Sequence, residues 1–307
     1  MGSLVNSWRP RSDHGSTPWR VRLLATALGL LPLIGLAADP PPLIFEAPPR
    51  FVQLADRLQK LNPQALRAAL DLVGLQEPGP PITITLVPDD TEIARHTPSW
   101  VSGYALVPSG TIVIFPERQV SYPHGSWEGL LLHELTHVFV MRVARGQAGP
   151  RWFEEGIAMV ASGERDLEDR ARGFWIGLTA TPIPLEEINR LFSENPPSVQ
   201  KAYLLSDAVV RYLMASLGAD TVRRILAERA AGVPFEDAVQ KVTSWTLLEL
   251  ETKFWAQQTA WRRWIPVVTS STIVWVAIVL LALAAWRKQR QRAAAVKRQW
   301  EKEGEEP

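Results

Sequence analysis

The chain has 307 residues, with 33 basic and 32 acidic side chains and a net charge of +1, so no global field draws it to nucleic acid. It contains no cysteine, which excludes disulfides, thiolate metal ligands and a cysteine nucleophile. The length is ample for a hydrophobic core that needs no such staples.

Arg9, Arg11, Arg20 and Arg22 precede an apolar run from Leu23 to Ala38, with small residues around Gly35-Leu36-Ala37. Residues 1–38 are therefore expected to be a secretory signal. An uncleaved anchor is the alternative, but the run is short for a span and contains Pro32. Residues 39–50 are rich in proline and expected as an extended linker, with one domain over residues 51–264. Apolar residues recur at helical spacing from Phe51 to Val73, interrupted at Asn62-Pro63. Ile82 to Val87 alternates as a strand does, and Tyr104–Val107 and Thr111–Phe115 flank a turn at Pro108-Ser109-Gly110. A small sheet is thus expected before the next helix.

That helix carries His133-Glu134-Leu135-Thr136-His137 inside an apolar run from Leu130 to Val140. Ser126 and Glu128 read as its N-cap and first-turn acid. Histidines four apart share one helix face, so His133 and His137 can aim at one ion. Glu134 lies roughly 100° further round, where its carboxylate reaches a water rather than the metal. H-E-x-x-H spacing separates holding zinc from taking the proton. Hydrogen-bonded core histidines are the bland alternative. His124, in Pro123-His124-Gly125, reads mainly as a loop histidine that could enter the cleft, and His96 carries no assignment.

Gly146 and Pro150 mark a helix stop and a helix start. Helices joined by a short loop run antiparallel as neighbours, so Glu154 and Glu155 both qualify on distance as a third ligand. Adjacent positions point apart, which leaves one to coordinate and the other to orient a histidine or complement the helix dipole. Beyond them, Leu185–Phe192, Val199–Leu217, Thr221–Ala231 and Phe235–Val242 show helical spacing, and Thr246 to Glu249 is a capping box. The 22 residues from Ile265 to Trp286 are uncharged, flanked by Trp261 and Trp264, and followed by Arg287, Lys288, Arg290, Arg292, Lys297 and Arg298. They are expected to form a transmembrane helix contacting the lipid bilayer, with residues 287–307 as a basic cytoplasmic tail and the catalytic domain extracytoplasmic.

The pattern H-E-L-T-H, then 17 residues, then the Glu155-Gly156-Ile157-Ala158 element resembles the gluzincin zinc metallopeptidases, and most nearly the peptidase MA-like family. The resemblance covers roughly residues 50–260. It implies an α+β fold with a small sheet ahead of the H-E-x-x-H helix and a helical C-terminal part. It also implies Zn2+ on His133, His137 and Glu155, with Glu134 as general base on a peptide or protein substrate. Tyr203 matches a tyrosine that donates to the oxyanion, and Ser102–Val107 the edge strand that pairs with substrate. Met159 departs from the thermolysin branch, which has an Asp there. A catalytically silent binding module and a hydrolase of a non-peptide amide are the alternatives. Oligomeric state is open.

Overall fold

A computed structural model describes residues 39–107, 109–120, 123–163, 182–260, 275–276 and 278–290. Four strands form one sheet: β1 (Leu43–Glu46), β2 (Ile82–Leu86), β3 (Gly103–Leu106) and β4 (Thr111–Ile114), in the order β1-β2-β4-β3. β1 with β2 and β2 with β4 are parallel, while β3 and β4 form an antiparallel hairpin in which Leu106 pairs Thr111. The alternation in β2 is the pleat itself: Ile82, Ile84 and Leu86 are buried, while Thr83 and Thr85 are partly exposed. The proline-rich segment thus supplies a sheet strand as well as a connection.

Helix α1 (Val52–Leu58) and helix α2 (Pro63–Val73) part where Asn62 caps the second, its side chain accepting from the Gln64 N–H at 2.9 Å. A short α3 (Glu92–His96) covers the far face of the sheet, with Ala94 in a small cluster with Val87, Val113 and Phe115. Arg118 ties this region down. Its buried guanidinium donates to the carbonyls of Ala94, Pro98 and Val101 and to Asp89.

The central helix α4 (Trp127–Val143) starts at Ser126, whose hydroxyl accepts from the Gly129 N–H at 3.0 Å. Residues 129–136 and 138–140 are buried, as an apolar helix without a polar face requires. Arg145 and Gly146, both at positive φ, end the helical segment and turn the chain back. Helix α5 (Arg151–Ser162) follows, its Trp152 N–H bound to the Asn189 side chain at 2.9 Å. Next come α6 (Leu185–Leu191), α7 (Pro196–Leu217), α8 (Thr221–Ala230), α9 (Phe235–Thr243) and α10 (Leu247–Ala260). Thr246 and Glu249 make the reciprocal bonds of a capping box at the start of α10. One core runs from Phe51 through the inner faces of β2 and β4, across α4 and α5, to Phe254 and Trp255.

The described fold is mostly helical with a small four-stranded sheet, and the expected transmembrane helix is not part of it. Among the described residues no helix is long and apolar enough to cross a membrane. Of the expected span, only residues 275–276 and 278–286 are among the described residues. Single-pass membrane placement, with its lipid contact and its inside and outside assignments, loses its support. The signal-sequence reading over 1–38 and the tail beyond 290 lie outside the described residues.

Candidate metal centre

Helices α4 and α5 place three donor atoms in a triangle. His133 Nε2 is 3.1 Å from His137 Nε2, and Glu155 Oε2 lies 3.3 Å from the first and 3.4 Å from the second. A tetrahedral ion with bonds of about 2.0–2.1 Å separates its ligand atoms by about 3.3 Å. The donor set and its edges therefore fit a small divalent cation, and His133 and Glu155 are almost fully buried. Close helix packing sets the Glu155 position. A Cβ on the neighbouring Gly156 would lie 2.5 Å from the Ser206 carbonyl oxygen of α7, so only hydrogen fits there.

The other Glu155 oxygen is held from outside, with Arg151 Nε donating to Oε1 at 3.2 Å. The Arg151 guanidinium lies over the Phe192 ring at 4.5 Å, and Phe192 meets Tyr203 edge-on at 5.1 Å. Tyr203 in turn sets its ring 6.2 Å from His133. The arginine thus leaves Oε2 facing the histidines, and Tyr203 flanks the centre on the side that Phe192 and Arg151 build.

Glu134 stands apart from the triangle. Its carboxylate accepts the backbone N–H of Ala105 in β3, so the exposed edge of the sheet borders the same site. Burial raises its pKa, against the pull of the two histidines and the Ala105 N–H. A carboxylate moved upward in this way is better matched to proton transfer near neutrality. Glu154 Oε1 accepts the Gly149 N–H at 3.1 Å, which anchors the loop between α4 and α5. His96 is exposed and donates to the Glu92 carbonyl, so it belongs to α3. Met159 is buried and apolar where the thermolysin pattern has an acid. His133 Nδ1 is buried without a hydrogen-bond partner among the described residues.

His124 is the site residue that the sequence undervalued. Its ring meets His133 edge-on at 4.6 Å, and one ring nitrogen lies within 4.8 Å of donor atoms of His133 and Glu134. Burial, then the other imidazoles, push its pKa well below the usual histidine value, partly opposed by Glu155. The only local signal is the turn Pro123-His124-Gly125 just ahead of the Ser126 cap, which cannot say onto which face the loop folds.

Protons and metal compete for this centre. Burial disfavours a charged His137, but the Glu155 carboxylate outweighs it and raises the His137 pKa from 6.5 to about 9. The two imidazoles hold Glu155 well below the usual carboxylate range, although burial works the other way. The raised His137 value stabilises the metal-free fold fully below pH 6.5, and this contribution is lost as pH rises through about 9. A metal must displace that proton. Its apparent affinity is expected to rise about tenfold per pH unit towards pH 9 and then level, read by chelator competition. A flat affinity from pH 7 to about 9 would contradict this origin.

No curated protein matches the chain. The family model of the peptidase MA superfamily matches residues 67–264, more than half the chain and inclusive of every residue of this centre. The chain belongs to the peptidase MA superfamily.

Proposed function

We propose that the protein is a zinc-dependent peptidase in which His133, His137 and Glu155 hold the ion and Glu134 is the general base. Family membership carries a metallopeptidase-like fold and peptidase character in general. The zinc assignment is supported by one observation above the rest: two imidazole nitrogens and a carboxylate oxygen with mutual distances of 3.1–3.4 Å. When bound, zinc supplies Lewis acidity and lowers the pKa of a water to about 7.

The chain's own side chains do the remaining work. Glu134 takes a proton from the water that attacks the peptide carbonyl carbon, then delivers it to the leaving amine nitrogen as the C–N bond breaks. The Ala105 N–H fixes the Glu134 carboxylate against the sheet edge. The Tyr203 hydroxyl donates to the carbonyl oxygen as it gains charge, a contribution of about 3–4 kcal/mol for an aimed donor. Arg151 keeps Glu155 from turning away.

The test uses the full-length protein, metal analysis and a peptide library read by mass spectrometry. The expected result is one zinc per chain and cleavage that a chelator abolishes and zinc restores. Stoichiometric zinc with no cleaved peptide would overturn the peptidase reading in favour of a silent binding module or a hydrolase of another amide.

A further inference from the structure

We propose that His124 is a further catalytic residue, an imidazole that shares the attacking oxygen with Glu134. The proposal rests on the peptidase reading above. Its basis is a juxtaposition: a ring nitrogen of His124 and a carboxylate oxygen of Glu134 lie within 4.8 Å of each other and of a His133 nitrogen. Two hydrogen bonds of about 2.8 Å that meet at one oxygen near the tetrahedral angle span about 4.6 Å. A limit of 4.8 Å leaves the two side chains close enough to bond the same oxygen atom.

Nδ1 of His124 is buried and has no hydrogen-bond partner among the described residues. Leaving a buried polar atom unsatisfied is costly, and such an atom calls for an explanation. A purely structural loop histidine would be expected to spend its ring nitrogens on backbone groups, as His96 does with the Glu92 carbonyl. His124 instead sets its ring edge against His133. On the helix side its segment is anchored, since Pro123 is buried and Ser126 caps α4 two residues later. Packing on His133 orients the imidazole, and an oriented donor contributes most to a transition state.

His124 and Tyr203 each set a ring against His133, in different company. Tyr203 arrives with Phe192 and Arg151, which hold Glu155. His124 groups with Glu134. A tetrahedral intermediate carries two oxygens, one from the carbonyl and one from water. Tyr203 serves the first and His124 the second. As the water oxygen bonds to the carbonyl carbon, one of its protons passes to Glu134, and the N–H of His124 donates to the same oxygen. His124 keeps its proton throughout, and Glu134 returns its proton to the leaving nitrogen.

The test compares the full-length protein with His124→Ala and His124→Asn. It measures zinc content, zinc affinity by chelator competition, thermal stability, kcat and KM on a library-derived peptide, and the Kd of a phosphinic peptide that mimics the tetrahedral state. In His124→Ala, zinc affinity and KM are expected to stay within a few fold, while kcat falls about 10²–10³-fold. The phosphinic peptide should weaken by a similar factor, and His124→Asn, which retains an N–H donor, should recover part of both. Unchanged kcat overturns the proposal. A loss of zinc affinity of more than about tenfold overturns it too, because His124 would then support the metal. If both variants unfold, a purely structural role replaces it. If the unsubstituted protein cleaves nothing, the peptidase reading falls by itself, and an equal phosphinic-peptide Kd in all three proteins would remove the role of His124 as well.

Discussion

Glu134→Gln protein is expected to retain its zinc and its fold while kcat drops roughly 10²–10⁴-fold. Glutamine keeps the size of the side chain and an oxygen that still accepts from Ala105 N–H, so the edge strand stays in place. It removes only the ability to take up a proton. Glu134 lies outside the triangle of His133, His137 and Glu155, so metal content measured by mass spectrometry should not move. Stability should hold or rise, because burial raises the pKa of this carboxylate and its ionised form is therefore a burden on the fold. Loss of zinc would show Glu134 to be a ligand, and an unchanged kcat would show that another group takes the proton.

The second large effect is mechanical. Gly156→Ala places a methyl group 2.5 Å from the Ser206 carbonyl oxygen and 2.5 Å from Val210 Cγ2. The valine can rotate, but a backbone oxygen inside a helix cannot. Helices α5 and α7 must separate, and overpacking of this kind costs about 1–3 kcal/mol. In a domain of this size that is a fall in Tm of roughly 2–12 °C. Glu155 rides on the same turn of α5, so zinc affinity should fall with stability. Calorimetry and chelator competition on one preparation read both. Unchanged values for Gly156→Ala would mean that the close approach of the two helices is not required.

Local grammar carried much of the site. The Ser126 cap, the Asn62-Pro63 break and the Thr246 to Glu249 box depend on residues within a few positions of each other, and each takes the expected form, while the histidine spacing puts the two Nε2 atoms 3.1 Å apart. The glycine beside Glu155 came with the family pattern, but its physical reason is the Ser206 carbonyl fifty residues away. Contacts of that kind explain what stayed hidden. Arg151 gripping Glu155 needs α5 to be formed before its role has meaning. The fold of the His124 loop onto His133 depends on what surrounds it, and no periodicity encodes that. The pairing of Leu43 with Ile82 joins segments 39 residues apart, so a short run among prolines carried no visible partner. The membrane span failed for a different reason. An uncharged stretch of letters met the length criterion, whereas among the described residues no helix is long and apolar enough to cross a membrane.

The strand at Leu43–Glu46 has a practical bearing on where this protein can be cut. The family match starts at residue 67, inside α2, yet the outer side of β2 is occupied by β1, and Phe51 and Leu58 fill the core from α1 and the turn before it. A fragment trimmed to the matched span would bare the backbone of β2 and leave apolar gaps where those side chains sat. Open strand edges recruit other chains, and the prolines at 40–42 and 48–49 that bracket β1 would be gone as well. A workable fragment therefore has to keep β1 from Leu43 onward.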